Sequence, residues 1–177
     1  VDYSDTREYP DVETTPYRWD DNVRMQRTLD AVRAKFEDAG GAMFNIYDYD
    51  VGDIAAGEWM NYTHTFPAGW YEVYLRQAVA NMAGGASVLE LVTGNRTQPN
   101  QTTKLLGSFL GERTGFQYRN FALTDGTGEN VVALQLSGVT TLRLRHITPD
   151  AADGGRFQNY LVFRPVSAPG KQRAFVA

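Results

Sequence analysis

An all-β fold, an antiparallel β-sandwich of the jelly-roll type, is predicted by three observations. From Ala42 onward, short apolar runs alternate with polar residues at a period of two. Gly or Asp separates most of these runs, as in Asp125-Gly126-Thr127-Gly128-Glu129-Asn130 and Ser137-Gly138-Val139. No helical pattern falls between them, which argues for strands folded back on one another rather than for a parallel sheet.

The elements follow in chain order. Residues 1–20 have no clean period and are broken by Pro10 and Pro16, so they read as an extended arm or a short edge strand. Over 21–39, Met25, Leu29, Val32 and Phe36 recur at spacings of four, three and four, one stripe of a helix. Asp20 or Asp21 would cap its start and Gly40-Gly41 would stop it. The pattern predicts a helix within an N-terminal arm, 1–45; the rival reading is an irregular crossing strand that joins the sandwich. The sandwich is predicted over 46–167, with a tail or linker at 168–177.

Strands are predicted at 42–49, at Trp59–Phe66 and at Trp70–Ala78, the last two flanking a hairpin at Pro67-Ala68-Gly69. In the third, Tyr71, Val73 and Leu75 face one way while Trp70, Glu72, Tyr74 and Arg76 face the other, as in a half-buried antiparallel strand. Arg76 pairs with Glu72 on that face or touches a ligand. Further strands are predicted at 87–92, 105–110, 116–123, 130–136, 140–147 and 159–164. A turn is predicted at 82–85, a polar loop at 93–103 and a long acidic loop at 148–155.

Composition sets limits. A chain of 177 residues with 42% hydrophobic content is one domain with one sizeable core. The net charge of −4 offers no basic footprint for nucleic acid. Acid is concentrated at the start: Asp2, Asp5, Glu8, Asp11, Glu13, Asp20 and Asp21 face only Arg7 and Arg18. Cysteine is absent, which removes disulfides, thiol catalysis and Cys-type zinc sites together. No stretch approaches the roughly 20 apolar residues that span a bilayer. Asp2 to Asp21 is too polar for a signal peptide, so an exported protein would have shed its signal or this is a piece of a longer chain. His64 and His146 are the only histidines, and neither lies in a zinc or triad motif. GxSxG, GxGxxG and P-loop patterns are absent, and no carboxylate pair is singled out. The chain therefore reads as non-enzymatic. Asn61-Tyr62-Thr63, Asn95-Arg96-Thr97 and Asn100-Gln101-Thr102 fit the N-glycosylation pattern, the last two in a polar loop where attachment is sterically easy.

Four segments in order carry a resemblance. They are the run 57–78 (GEWMNYTHTFPAGWYEVYLRQA), the pieces LGSF and TGFQYRNFAL, the strand SGVTTLRLRH, and FQNYLVF. Together they resemble family 6 and family 35 carbohydrate-binding modules over roughly 46–165. The resemblance implies a two-sheet sandwich, usually with one structural calcium ion, and a sugar site among loops at one end. By the same resemblance Tyr62 and Phe116 would supply stacking rings and Asn159 a hydrogen-bonding amide. Phe116 stands where the family usually has Trp, a larger platform with an N–H. The chemistry fits, since pyranose C–H faces stack on aromatic rings and an amide offers both donor and acceptor. Trp70, on the outward face of its strand, is a further platform or an interface, while Trp59 reads as core.

Hard oxygen ligands for calcium are available from Glu8, Glu13, Asp48, Asp50, Asp53, Asp150 and Asp153. The resemblance implies a non-catalytic module of a secreted or cell-surface bacterial protein, with polysaccharide or glycan as partner. The alternative is a structural or adhesion subunit that assembles with neighbouring subunits or other domains through the same sandwich, its arms adding strands to sheet edges.

Overall fold

The computed structural model describes residues 3–4, 25–52, 54–79, 86–98, 100–110, 112–147, 156–169 and 174–176. Ten strands follow one another: β1 (Tyr3–Ser4), β2 (Met25–Glu37), β3 (Met43–Val51), β4 (Trp59–Val79), β5 (Ala86–Val92), β6 (Thr103–Leu110), β7 (Arg119–Ala122), β8 (Ala133–His146), β9 (Arg156–Val166) and β10 (Ala174–Val176). The described chain is all-β, and every pairing but one is antiparallel; β10 runs parallel to β8. The predicted turn at 82–85 and the acidic loop at 148–155 lie outside the described residues.

The strands pair in the order β2-β3-β9-β4-β8-β5-β6, with β1 and β7 on β4 and β10 on β8. The first part of β4 pairs with β8 from Trp59↔Arg145 to Glu72↔Ala133. Its last part pairs with β9 from Trp70↔Val166 to Val79↔Arg156, and with β7 along its other edge. One strand therefore belongs to both layers of the sandwich. Phe66, Tyr71, Val73 and Leu75 of β4 pack with Leu89, Leu106 and Phe109 of β5 and β6 and with Leu134, Leu136, Leu142 and Leu144 of β8. Leu161 and Phe163 of β9 close over this core. The predicted alternation holds: Tyr71, Val73 and Leu75 are buried, and Glu72, Tyr74 and Arg76 take the other face.

Several expectations need correction. Residues Met25–Glu37 form a strand, not a helix. The pairing of β2 with β3 shifts register between Arg27 and Val32 and again between Val32 and Ala34. Each irregularity breaks a period of two, and the resulting apolar spacing imitates a helical stripe. A boundary at 45/46 would cut through β3, so much of the predicted arm belongs to the sheet.

Pro67-Ala68-Gly69 is not a hairpin. Phe66 pairs with Gly138 and Gly69 with Leu136, so Pro67 and Ala68 stand opposite Ser137 alone in a bulge. Pro67 has no N–H to give a ladder, and a bulge is where a strand tolerates it. Gly138, opposite, has φ of +64°, which its lack of a side chain permits. The same bulge explains why Ser137-Gly138-Val139 does not divide two strands: β8 runs through it.

Trp59 is half-buried on the outer face rather than in the core, beneath the guanidinium of Arg143 at 3.7 Å from its ring centroid.

Candidate functional site

The end of the sandwich where β4 finishes is built by the turn before β7. Backbone N–H groups of Thr114 and Gly115 both donate to the carbonyl of Val79, at 2.8 and 3.1 Å. The N–H of Val79 donates to Thr114 Oγ1 at 2.8 Å, which locks the turn to the last residue of β4. Gly115 and then Phe116 take left-handed conformations, with φ of +61° and +66°. Phe116 is the one non-glycine residue with positive φ among the described residues. Such a backbone costs about 1–3 kcal/mol and persists only where its surroundings over-determine it. What it achieves is presentation: the ring is 42% exposed. It lies against Phe157 of β9 at a centroid distance of 5.8 Å. Gly52, after β3, gives Phe157 room, since a Cβ there would come within 3.2 Å of its ring.

At the same end of β4, a polar network is centred on Arg76. Its Nη1 donates to Asn159 Oδ1 at 2.6 Å and lies 3.9 Å from Asp48 Oδ2. Its guanidinium sits 4.6 Å from the Tyr118 ring centroid and 5.6 Å from that of Tyr160. Tyr118, two residues after Phe116, donates its hydroxyl to Asp50. Asn159 donates from Nδ2 to the carbonyl of Tyr49 in β3. It occupies an irregularity in β9, between Tyr160, which faces Arg76, and Gln158, which faces Gln77. Arg76 therefore pairs with Asn159 and Asp48, and not with Glu72. Glu72 instead accepts from Tyr74 at 2.7 Å and from Arg164. The Tyr74 hydroxyl bond holds the Glu72 carboxyl below its ordinary value, burial opposes this, and Arg164 adds to it. The same bond, with burial, raises the Tyr74 phenol.

The four residues picked from sequence do not meet at one place. Phe116 and Asn159 share this end, linked through Phe157 and through Tyr118 and Arg76. Tyr62, 41% exposed, lies near the opposite end of β4, across from Leu142, with its hydroxyl 3.7 Å from Met60 Sδ. Trp70 is half-buried midway along β4, where that strand pairs with both Gln135 of β8 and Val166 of β9.

Sequence reasoning missed Phe157, Tyr118 and the centrality of Arg76. It also missed a second network on the outer face of β4 and β8. There Arg143 donates from Nε to Asn61 Oδ1 at 3.1 Å and from Nη2 to Gln101, while Asn61 Nδ2 donates to Gln101 Oε1 at 2.8 Å. The alternation Arg143-Leu144-Arg145 was the available signal, because it sets two guanidinium groups on the face opposite the core. Arg145 pairs there with Glu90 at 2.6 Å.

Among the described residues no three acidic or imidazole groups come together. Asp48 and Asp50 are engaged by Arg76 and Tyr118. Glu8, Glu13, Asp53, Asp150 and Asp153 lie outside the described residues. Among the described residues no helix is long and apolar enough to cross a membrane.

No protein-family model matches the sequence, and neither does any curated protein. Solved structures do resemble it. A family 6 carbohydrate-binding module from Clostridium cellulolyticum in complex with xylose is 17% identical, over 76% of this chain and 88% of that one, with a TM-score of 0.47. A β-1,3-glucan-binding family 6 module from Bacillus halodurans is 18% identical, over 80% and 96%, with a TM-score of 0.48. A module from Cellvibrio mixtus lichenase 5A in complex with cellotriose is 19% identical, over 80% and 87%, at 0.47. At scores this low the likeness decides neither the residues of a site nor what they hold.

Proposed function

We propose that this chain is a non-catalytic carbohydrate-binding module of a secreted or cell-surface protein, and that the exposed ring of Phe116 is its sugar platform. The observation that carries this reading is the left-handed backbone of Phe116, which sets an aromatic face at the surface beside Phe157. Strain of that kind has a use where a ring must stand at a fixed angle to receive a ligand. A pyranose would lay its C–H face on the ring, and polar groups of the neighbouring network would meet its hydroxyls. Asn159 spends one donor and one acceptor on Arg76 and Tyr49, so its role is chiefly to hold the platform's base.

The test is binding of the folded chain to xylan, cellulose and β-1,3-glucan, with and without calcium ion, alongside Phe116→Ala and Tyr62→Ala. Saturable binding is expected in the wild type and in Tyr62→Ala, and its loss in Phe116→Ala. Loss in Tyr62→Ala alone would move the site to the other end of β4. No binding by the wild type to any of a broad glycan set would sink the reading.

A further inference from the structure

Three asparagines carry the acceptor pattern for N-linked glycosylation, and the fold treats them very differently. Asn61 lies within β4, paired with Arg143 of β8, and both ends of its carboxamide are spent: Nδ2 on Gln101 and Oδ1 on Arg143. A sugar on that nitrogen would displace Gln101 from the network that ties its loop to the sheet. In the Asn100 sequon the hydroxyl residue is Thr102. Its carbonyl accepts the N–H groups of Thr93 and Gly94, at 2.9 and 3.4 Å, and its hydroxyl lies 3.1 Å from Thr93 Oγ1. The required hydroxyl is thus held at the foot of the loop. Gln101, the middle residue, is also tied down, donating to the carbonyl of Arg96 at 2.5 Å.

Asn95 is placed otherwise. Asn95, Arg96 and Thr97 are all exposed. The Thr97 hydroxyl donates to Asn95 Oδ1 at 2.8 Å, and the Thr97 N–H donates to the same oxygen at 3.0 Å. Two donors on the carboxamide oxygen draw charge toward it and make the Nδ2 protons easier to remove. Asn95 Nδ2 has no hydrogen-bond partner among the described residues. Asparagine, hydroxyl and the contact between them thus lie together at the surface.

We propose that Asn95 is a glycan acceptor, modified in the folded chain by an oligosaccharyltransferase that uses a polyprenyl-pyrophosphate-linked oligosaccharide. In that transfer the bond from the sugar's C1 to the pyrophosphate oxygen breaks, and its electron pair leaves with the lipid pyrophosphate. The bond from C1 to Nδ2 forms, and Nδ2 gives up one proton to the enzyme's base. The site also has a structural consequence. Gly94 and Arg96 line one wall of a cleft of about 420 Å³ where β5 and β8 diverge, and Val139, 67% exposed, lines the other. A glycan on Asn95 would stand at the mouth of that cleft and cover an apolar side chain on β8. This proposal does not depend on the sugar-binding reading, because the glycan here is attached rather than held.

The experiment incubates the purified, folded chain with a purified oligosaccharyltransferase and a lipid-linked oligosaccharide, and maps the product by intact and peptide mass spectrometry. A control acceptor peptide verifies that the enzyme is active. One glycan per chain is expected, on Asn95, lost in Asn95→Gln and in Thr97→Ala and restored in Thr97→Ser. In the heat-unfolded chain Asn61 and Asn100 are expected to become acceptors as well. Transfer to Asn61 or Asn100 in the folded chain, or no transfer while the control peptide is consumed, would overturn the proposal.

Discussion

The two ends of the outer face of β4 carry the same motif put to different uses. At both, an arginine lies over an aromatic ring and reaches a carboxamide: Arg76 with Tyr118, Tyr160 and Asn159, and Arg143 with Trp59, Asn61 and Gln101. Arg143 is 8% exposed, and burial lowers its guanidinium pKa. Its bond to Gln101 fastens the loop between β5 and β6 to the sheet, while Asn61 and Trp59 hold it against β4. Arg76 joins β9 to the turn before β7, in which the Phe116 ring remains open to solvent. The same chemistry fastens a loop at one end and lies near an exposed ring at the other. An arginine over an aromatic therefore marks a fastening and does not by itself mark a binding site.

The sharpest way to break the comparison is Arg143→Ala. It removes a charged donor from the half-buried carboxamide oxygens of Asn61 and Gln101 and the cation over Trp59, and should cost about 3 kcal/mol in urea unfolding. Arg143→Lys should recover little of this, since an ammonium cannot reproduce the planar fork. Arg76→Ala should cost less, about 1.5 kcal/mol, and should also weaken glycan binding by loosening the turn that carries Phe116. Because the two arginines share no partner, the double variant should lose the sum to within about 0.5 kcal/mol.

Phe116 allows a finer test. Phe116→Gly and Phe116→Ala both remove the ring and should both abolish binding. The glycine variant should be the more stable by about 1 kcal/mol, since only the alanine keeps the left-handed penalty. Equal stability would mean that the backbone relaxes there, and that the conformation is not imposed by the clamp at Val79.

The smallest effect belongs to Glu72. Tyr74 and Arg164 hold its folded pKa below the ordinary 4.5. It therefore stabilises the fold above that value, and the contribution is lost as pH falls through the depressed folded value. The urea midpoint of the wild type should fall more steeply than that of Glu72→Gln as pH drops from about 5 to about 3. Arg164 is 59% exposed, so salt should shrink the difference.

How much of this was legible in the sequence follows from what periodicity can carry. Tyr71, Val73 and Leu75 were assigned to the core correctly because strand alternation is local and uninterrupted there. β2 was misread because its register irregularities against β3 leave only a misleading spacing. The bulge at Pro67 looked like a hairpin because a proline and a glycine mark a break in the ladder without saying whether the chain reverses. Phe116 was picked through an ordered resemblance. Its companion Phe157 was not, since nothing local links residues on the turn before β7 and on β9. Tyr62 came from the same resemblance, yet the fold sets it at the other end of β4, a separation visible only once that strand is known to be continuous.

That continuity has a bearing on how the molecule assembles and comes apart. β4 must find β8 and β9, both of which lie far along the chain, before either layer has a complete ladder. Loop closure over such distances is slow, so folding should be unhurried and should wait on the later half of the chain. The reverse also holds. A strand common to both layers leaves no half that can open alone, and a tug or a cut that frees β4 should release the whole sandwich in a single step.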